Sequence, residues 1–135
     1  AKMMLWPVVI GGISGLVLVG ALYLMGALQE RSGLAVLLGA IAFFWPVFAV
    51  QADATAITLV LHGVVFVIFS ALAAFGFRKS AVVIAAGLIA HGVFDVFVHF
   101  TGHPGPFWWP AFCGALDLVA GVLVIILIRT HRIPA

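Results

Sequence analysis

The sequence predicts an all-α protein: a polytopic membrane helix bundle of five transmembrane helices, forming a single integral membrane domain over residues 1–135. Three observations support this fold class. Of the 135 residues, 66% are hydrophobic and only 7% are charged, whereas a soluble domain carries about a quarter charged residues. The mean hydropathy is +1.36. The few charged residues separate long apolar runs, each close to the roughly 20 residues that a helix needs to cross a bilayer.

The five predicted spans follow from these apolar runs in chain order. They cover about residues 3–28, 33–50, 54–77, 80–100 and 110–128. The first ends at "QERSG", the second at "QADAT", the third at "RKS", the fourth at the loop "TGHPGPFWWP" and the fifth at the tail "RTHRIPA". Helices are predicted because the backbone must satisfy its own hydrogen bonds in lipid. The runs do not alternate polar and apolar residues, as the strands of a membrane barrel would.

Two of these spans allow a second interpretation. The second span is short and contains Trp45-Pro46, so a four-helix arrangement with a re-entrant second segment stays open. The first span resembles a secretory signal, but its apolar run is much longer than the roughly 7–15 residues of a signal core. We therefore expect an uncleaved membrane anchor there.

Basic residues predict the orientation of the bundle in the membrane. With five spans, one side carries five of the six basic residues, and only Lys2 lies on the other. Because basic loops remain in the cytoplasm, we expect the N-terminus outside and the C-terminus inside. All four tryptophans lie near the outer ends of their spans, where indole rings favour the membrane interface. The five basic residues are Arg31, Arg78, Lys79, Arg129 and Arg132, and the tryptophans are Trp6, Trp45, Trp108 and Trp109.

Composition also excludes some classes of function. The single cysteine, Cys113, excludes an intrachain disulfide. The formal net charge of +2 is small and the sequence has no basic run, which argues against a nucleic-acid partner.

The ionisable side chains inside the spans form one polar layer. At a rise of about 1.5 Å per residue, the four deeper ones lie roughly 9–15 Å below the outer ends of their spans, and His99 lies near the surface. A buried aspartate costs several kcal/mol unless it is paired or hydrated, so we expect the four deeper residues to converge in one cavity in the outer leaflet. The alternative is a structural hydrogen-bond network that fixes helix packing. The layer consists of His62, His91, Asp95, His99 and Asp117.

The stretch "AHGVFDVFVHF" restricts the chemistry of this layer. Residues four apart are neighbours on a helix face, so His91 and His99 each flank Asp95. The two histidines are roughly 12 Å apart along the axis, so one metal ion cannot take both. A metal site would use one pair from this helix and complete itself with His62 or Asp117. Imidazole and carboxylate ligands suit zinc or iron, and a three-ligand set leaves a position for water.

These residues are therefore the candidate site. We predict Asp95, Asp117 and His91 as the groups that carry acid–base chemistry. The candidate metal ligands are His62, His91, Asp95, His99 and Asp117.

Small residues accompany the polar layer. Gly11 and Gly15 have the spacing that lets membrane helices approach closely, which predicts packing within the bundle or between protomers. Cys113 and Gly121 fall on the same face of the fifth span as Asp117. Cys113 is either a soft metal ligand or, more commonly for this residue type, a small apolar filler. Gly121 leaves room for a substrate or a close helix contact.

The loop "TGHPGPFWWP" directly overhangs the polar layer. It contains two glycines and three prolines, so it cannot be helical throughout. One interpretation is a lid with His103 facing the site. The other is an interfacial turn anchored by Trp108 and Trp109.

The segment from His91 to Gly121 carries "HGVFD", "WWPAFC" and an aspartate followed by "AG". In these features it resembles a family of small, multi-helix prokaryotic membrane proteins of unknown function. The resemblance covers about the last third of the chain. It implies only that His91, Asp95 and Asp117 belong together, and it assigns no activity. From the spans we expect a multi-pass protein of a cell membrane, the inner membrane of a prokaryote.

Three functions are compatible with the sequence. The first is a membrane-embedded enzyme, with or without a metal, that acts on a lipid-soluble small molecule. The second is a non-enzymatic accessory subunit, or a pigment- or haem-binding subunit, of a homo-oligomer or a larger membrane complex. The third is a proton or ion path, which is disfavoured because the polar layer ends halfway across the membrane.

Overall fold

The computed structural model describes residues 5–135, and this part of the chain contains five α-helices and no strand. All five helices are long and apolar enough to cross a membrane, which confirms the predicted fold class. Lys2 and the first residues of the first predicted span lie outside the described part. The helices are α1 (Leu5–Leu24), α2 (Arg31–Gln51), α3 (Ala56–Lys79), α4 (Ala81–Thr101) and α5 (Trp109–Arg129).

The second span forms one continuous helix. α2 runs for 21 residues and includes Pro46, so the described chain has five helices rather than four and a re-entrant segment. Proline has no N–H to donate, and its ring crowds the carbonyl of the preceding turn. The helix nevertheless continues to Gln51, beyond Trp45-Pro46.

The first helix ends four residues earlier than the apolar run suggests. Gly26 has a positive φ of 78°, a conformation that glycine adopts without a steric penalty. The amide of Ala27 donates to the carbonyl of Leu22 at 3.0 Å, and that of Gly26 donates to Tyr23 at 3.0 Å. This pair of bonds is the Schellman turn that stops a helix. Hydropathy is insensitive to it because the residues after the turn are also apolar.

α4 is the central helix of the bundle. It packs against α5, α3 and α2, whereas α1 packs mainly against α5. The backbones of α4 and α5 approach closely through glycines. A Cβ atom on Gly92 would lie 3.1 Å from the carbonyl oxygen of Gly114, and one on Gly121 would lie 3.0 Å from that of Ala85. Gly121 therefore serves a close helix contact.

The predicted small-residue contact of α1 lies within the bundle. A Cβ atom on Gly11 would collide with the carbonyl oxygen of Phe112, and one on Gly15 would lie 2.8 Å from that of Leu116. Both partners belong to α5. α1 therefore packs against α5 through close backbone contact, which small residues in membrane helices allow.

The interior of the bundle is apolar with one exception. Many large apolar side chains are exposed on the outside of the bundle. The buried core consists mainly of leucine, isoleucine, valine and alanine side chains. Within the described residues, the buried polar and charged side chains are His62, His91, Asp95 and Asp117. They lie towards the end of the bundle that holds the α2–α3 turn and the α4–α5 loop. We call this end the outer end, in keeping with the predicted orientation.

Candidate functional site

Three side chains meet between α4 and α5. His91 and Asp95 lie one turn apart on α4, and Asp117 faces them from α5. Nδ1 of His91 is 2.7 Å from Oδ2 of Asp117 and 3.6 Å from Oδ2 of Asp95. One potential ligand atom from each residue lies within 4.8 Å of the other two. We call these three residues the His–Asp group.

The His–Asp group is completely buried. His91, Asp95 and Asp117 each have 0% of their surface exposed. The glycines that bring α4 and α5 together create this position, since a Cβ on Gly114 would lie 3.3 Å from Cβ of Asp95. The helix contact and the polar contact therefore depend on each other.

Trp45 of α2 donates a hydrogen bond to one oxygen of Asp95. Its indole Nε1 donates a hydrogen bond to Oδ1 of Asp95 at 2.9 Å, and the side chain is only 1% exposed. The assignment of Trp45 to an interfacial belt is therefore wrong. Trp6 and Trp108, by contrast, are exposed.

A signal for Trp45 is present in the sequence. Trp45 and Asp95 each lie six residues before the end of their helix, which places both roughly 9 Å below the same surface. A tryptophan that deep is below the interface, and an indole N–H needs a partner when it is buried.

Asp117 has a second, weaker neighbour. Sγ of Cys113 lies one turn earlier on α5 and is 3.7 Å from Oδ1 of Asp117. Cys113 is buried, so it fills the core next to the carboxylate and offers it a weak donor.

Two polar atoms of the His–Asp group have no hydrogen-bond partner among the described residues. They are Nε2 of His91 and Oδ2 of Asp95. The ring of Phe69 packs edge-on against that of His91, with ring centroids 4.8 Å apart. Buried polar atoms are normally paired, so the group retains unused capacity to bind a proton, an ion or a polar ligand atom.

His62 and His99 are not part of the group. His62 stacks on Trp45, with ring centroids 5.8 Å apart, and its Nδ1 is buried without a partner. His99 is half-buried and lines an apolar groove between helices together with Val8 and Pro110. The expected convergence thus joins His91, Asp95 and Asp117 and leaves His62 one aromatic ring away.

A cavity of about 500 Å³ lies at the outer end, next to the two histidines that pack on Trp45. We call it the outer cavity. It is lined by the α2–α3 turn, the start of α3 and the α4–α5 loop, including Ala52, Thr55, Thr58, His62, Gly102 and His103.

The α4–α5 loop covers Trp45. The ring of His103 packs edge-on against Trp45 with centroids 5.3 Å apart, and a Cβ on Gly105 would lie 3.0 Å from the indole. His103 therefore faces Trp45 and the outer cavity rather than the acids. Burial lowers the pKa of His103 below its ordinary value, and the nearby His99 lowers that pKa further.

The chain shows no match to known proteins: no protein-family model, no curated protein and no solved structure is significantly similar to it. The resemblance of residues 91–121 to a family of prokaryotic membrane proteins stays a prediction. The fold and the site together define a multi-helix membrane protein with a buried His–Asp group.

Proposed function

We propose that the chain is a membrane-embedded enzyme that carries out acid–base chemistry on a lipid-soluble molecule, with His91 as the group that transfers the proton. In this proposal the protein lies in a cell membrane, the inner membrane of a prokaryote, and its site faces the outer half of the bilayer.

One observation carries the proposal: the 2.7 Å hydrogen bond between His91 and Asp117 in a fully buried setting. A carboxylate that accepts a hydrogen bond from one ring N–H fixes the tautomer of the imidazole. With the proton on Nδ1, the unpartnered Nε2 is the atom that accepts a proton from substrate. Asp117 then orients the ring and stabilises its positive charge.

Asp95 supports the same step from a second direction. Its Oδ2 is 3.6 Å from Nδ1 of His91, close enough for electrostatic stabilisation of a protonated ring in a low-dielectric interior. Trp45 holds the other oxygen of this carboxylate. Asp95 is therefore fixed in place while keeping one oxygen unpaired.

A metal-dependent form of this chemistry is the second candidate, favoured by the 4.8 Å clustering of three ligand atoms. Two buried carboxylates need compensating charge, and a divalent cation would supply it. An ion held through Nδ1 of His91 would replace the bond to Asp117, whereas one held through Nε2 would preserve it. The ligand set comprises His91, Asp95 and Asp117, with zinc or iron as the ion. His62 and His99 are no longer part of it.

The enzyme proposal is tested by following lipids directly. Purified protein is placed in nanodiscs made from a total bacterial lipid extract, and the lipid-soluble species are compared by mass spectrometry before and after incubation. Wild type is expected to convert at least one species that protein-free discs leave unchanged. His91→Gln and Asp117→Asn are expected to abolish the conversion while the protein stays folded, because both keep side-chain volume but remove the proton acceptor or its orienting charge.

His99→Gln is the matched control, since it changes a histidine of the same helix that lies outside the group. It is expected to convert lipid like wild type. Conversion by His91→Gln at the wild-type rate would contradict the proposal.

The metal candidate has its own measurement. Protein purified without chelators is analysed for zinc and iron by plasma mass spectrometry. A metal-dependent enzyme is expected to hold about one ion per chain, and to lose it in Asp95→Asn, because an asparagine cannot act as an anionic ligand. Lipid conversion by metal-free protein would contradict the metal-dependent candidate and support acid–base chemistry without a metal.

A further inference from the structure

The outer cavity is an open pocket, lined by exposed residues of the turn and of α3 together with the buried His62. It occupies about 500 Å³ between the α2–α3 turn, α3 and the α4–α5 loop, a volume typical of small-molecule sites. Its inner wall includes His62, which is 9% exposed. A pocket of this size at the outer end of a membrane bundle is accessible from the aqueous side and from the lipid.

Two imidazoles belong to the lining of the outer cavity, those of His62 and His103. Neither ring makes a hydrogen bond through Nδ1, an atom that is itself buried in both residues. Of the threonine hydroxyls nearby, Thr55 donates to Thr58 and Thr101 donates to the carbonyl of Phe97, whereas Thr58 accepts the first of these bonds and keeps its own proton to donate. The side chains of the lining that can bind a polar ligand atom therefore include His62, His103 and Thr58.

The outer cavity has no fixed charge. No aspartate, glutamate, lysine or arginine is among its lining residues, and Asp53 of the adjacent turn does not line it. Burial lowers the pKa of His103, which favours its neutral imidazole. Such a pocket offers no ion pair to a carboxylate, phosphate or ammonium group, and it suits a hydroxyl or carbonyl group.

One wall of the outer cavity connects to the lipid phase. Leu61 lines the cavity next to His62, and 59% of its surface is exposed on a helix that faces the bilayer. An apolar chain attached to a head group in the cavity can therefore extend along α3 into the membrane. Trp45 does not line the cavity itself, but it packs on both histidines of the lining and bonds to Asp95.

We infer that the outer cavity binds the uncharged head group of a long-chain alcohol or carbonyl compound through His62 and His103. As the substrate class of the enzyme this inference rests on the proposed function, but as a binding site it stands independently. It also gives a binding role to His62 and the α4–α5 loop, which take no part in the His–Asp group.

The probe is tritiated hexadecanol, measured by scintillation proximity on purified, detergent-solubilised protein. Binding is expected to saturate at about one site per chain. Unlabelled hexadecanol and hexadecanal are expected to compete at least tenfold better than palmitate or hexadecylamine, which share the chain length but carry a charge. Palmitate or hexadecylamine competing as well as hexadecanol would overturn the inference.

Variants locate the site. His62→Leu and His103→Leu are each expected to weaken hexadecanol binding at least tenfold, and His99→Leu, outside the cavity, is expected to bind like wild type. Thr58→Phe, which fills the cavity and leaves both histidines in place, provides a second test if a histidine variant does not fold. Unchanged binding in the folded variants would overturn the inference.

Asp117→Asn separates this inference from the proposed function. It is expected to bind hexadecanol normally while losing lipid conversion. Normal binding with lipid conversion unaffected by Asp117→Asn would contradict the enzyme proposal and leave the binding site standing. Loss of binding in folded Asp117→Asn would show that hexadecanol occupies the His–Asp group instead, and would overturn the inference.

Discussion

Each hydrogen-bond donor around the His–Asp group serves a particular carboxylate. The indole of Trp45 serves Asp95, and the imidazole of His91 serves Asp117, with the thiol of Cys113 as a weaker third donor. Because buried carboxylates are costly without partners, the loss of one donor cannot be compensated by the apolar side chains around it. Substitution of a single donor of the group is therefore expected to lower the free energy of unfolding markedly.

Trp45→Phe tests this at the indole. The variant keeps an aromatic ring but leaves Oδ1 of Asp95 without its donor, so the free energy of unfolding is expected to fall by about 1–3 kcal/mol. Unfolding in mixed micelles, followed by circular dichroism, measures the change. Trp6→Phe is the control, since that side chain is 69% exposed, and it should have little effect. Equal effects of the two variants would contradict the assigned hydrogen bond.

His103 should introduce a pH dependence into stability. Burial lowers its pKa in the folded protein, so the unfolded chain binds the proton more tightly than the folded one. The contribution of His103 is therefore constant above about pH 6.5, the ordinary histidine value, and stability decreases as the pH falls below it. Thermal unfolding of wild type and His103→Gln between pH 8 and pH 5 is expected to show a smaller acid loss in the variant. Identical pH profiles would contradict the burial of this imidazole.

At the scale of the helices, backbone contact explains the attachment of α1. The α1–α5 contact depends on glycines whose partners are carbonyl oxygens of α5, and backbone atoms cannot move aside as flexible side chains do. α1 contributes no aspartate, glutamate, lysine, arginine or histidine among the residues that the structure describes. Its contribution to the bundle is therefore close packing alone.

Gly11→Ala should disrupt this contact. The added methyl group would collide with the carbonyl of Phe112, and overpacking of this kind typically costs about 1–3 kcal/mol. Gly20→Ala on the same helix has nothing within 4 Å, and it is expected to leave stability unchanged or to raise it by up to about 1 kcal/mol. Unfolding in mixed micelles compares the two. A larger loss for Gly20→Ala would contradict the packing of α1 on α5.

At the scale of the whole molecule, the basic residues gather at the end opposite the outer cavity. Arg31 donates to the carbonyl of Phe77 at 3.3 Å, and Gln29 donates to that of Arg132 at 3.2 Å. These contacts tie the α1–α2 turn, the end of α3 and the C-terminal tail together. The charge asymmetry predicted from the sequence is thus an asymmetry of the folded bundle.

Lys79→Cys tests the predicted orientation. Cys113 is buried and is the only cysteine in the chain, so the introduced thiol is the accessible one. A membrane-impermeant maleimide is expected to label it in permeabilised cells and not in intact cells. Labelling of intact cells would reverse the topology.

Sequence alone predicted the number of helices and part of the site, for physical reasons that differ. Hydropathy reports burial in lipid and therefore predicts how many helices cross the membrane. The spacing of four residues on a helix predicts that His91 lies next to Asp95. Depth placed Asp117 at the same level. Depth does not give the rotation of a helix about its axis, however, and that rotation separates His62 from the His–Asp group. Hydropathy does not distinguish an indole that faces lipid from one that bonds to a carboxylate, so Trp45 is recognised only by its depth, which it shares with Asp95.

The bond between His91 and Asp117 also has a consequence for biosynthesis. α4 and α5 each carry an acid whose main partners belong to another helix, so either helix released alone would expose a carboxylate to hydrocarbon at a cost of several kcal/mol. We therefore expect α4 to enter the lipid in contact with α2, which supplies Trp45, and α5 to enter it in contact with α4, which supplies His91. The short loop between Thr101 and Trp109 keeps α5 beside α4 while this happens.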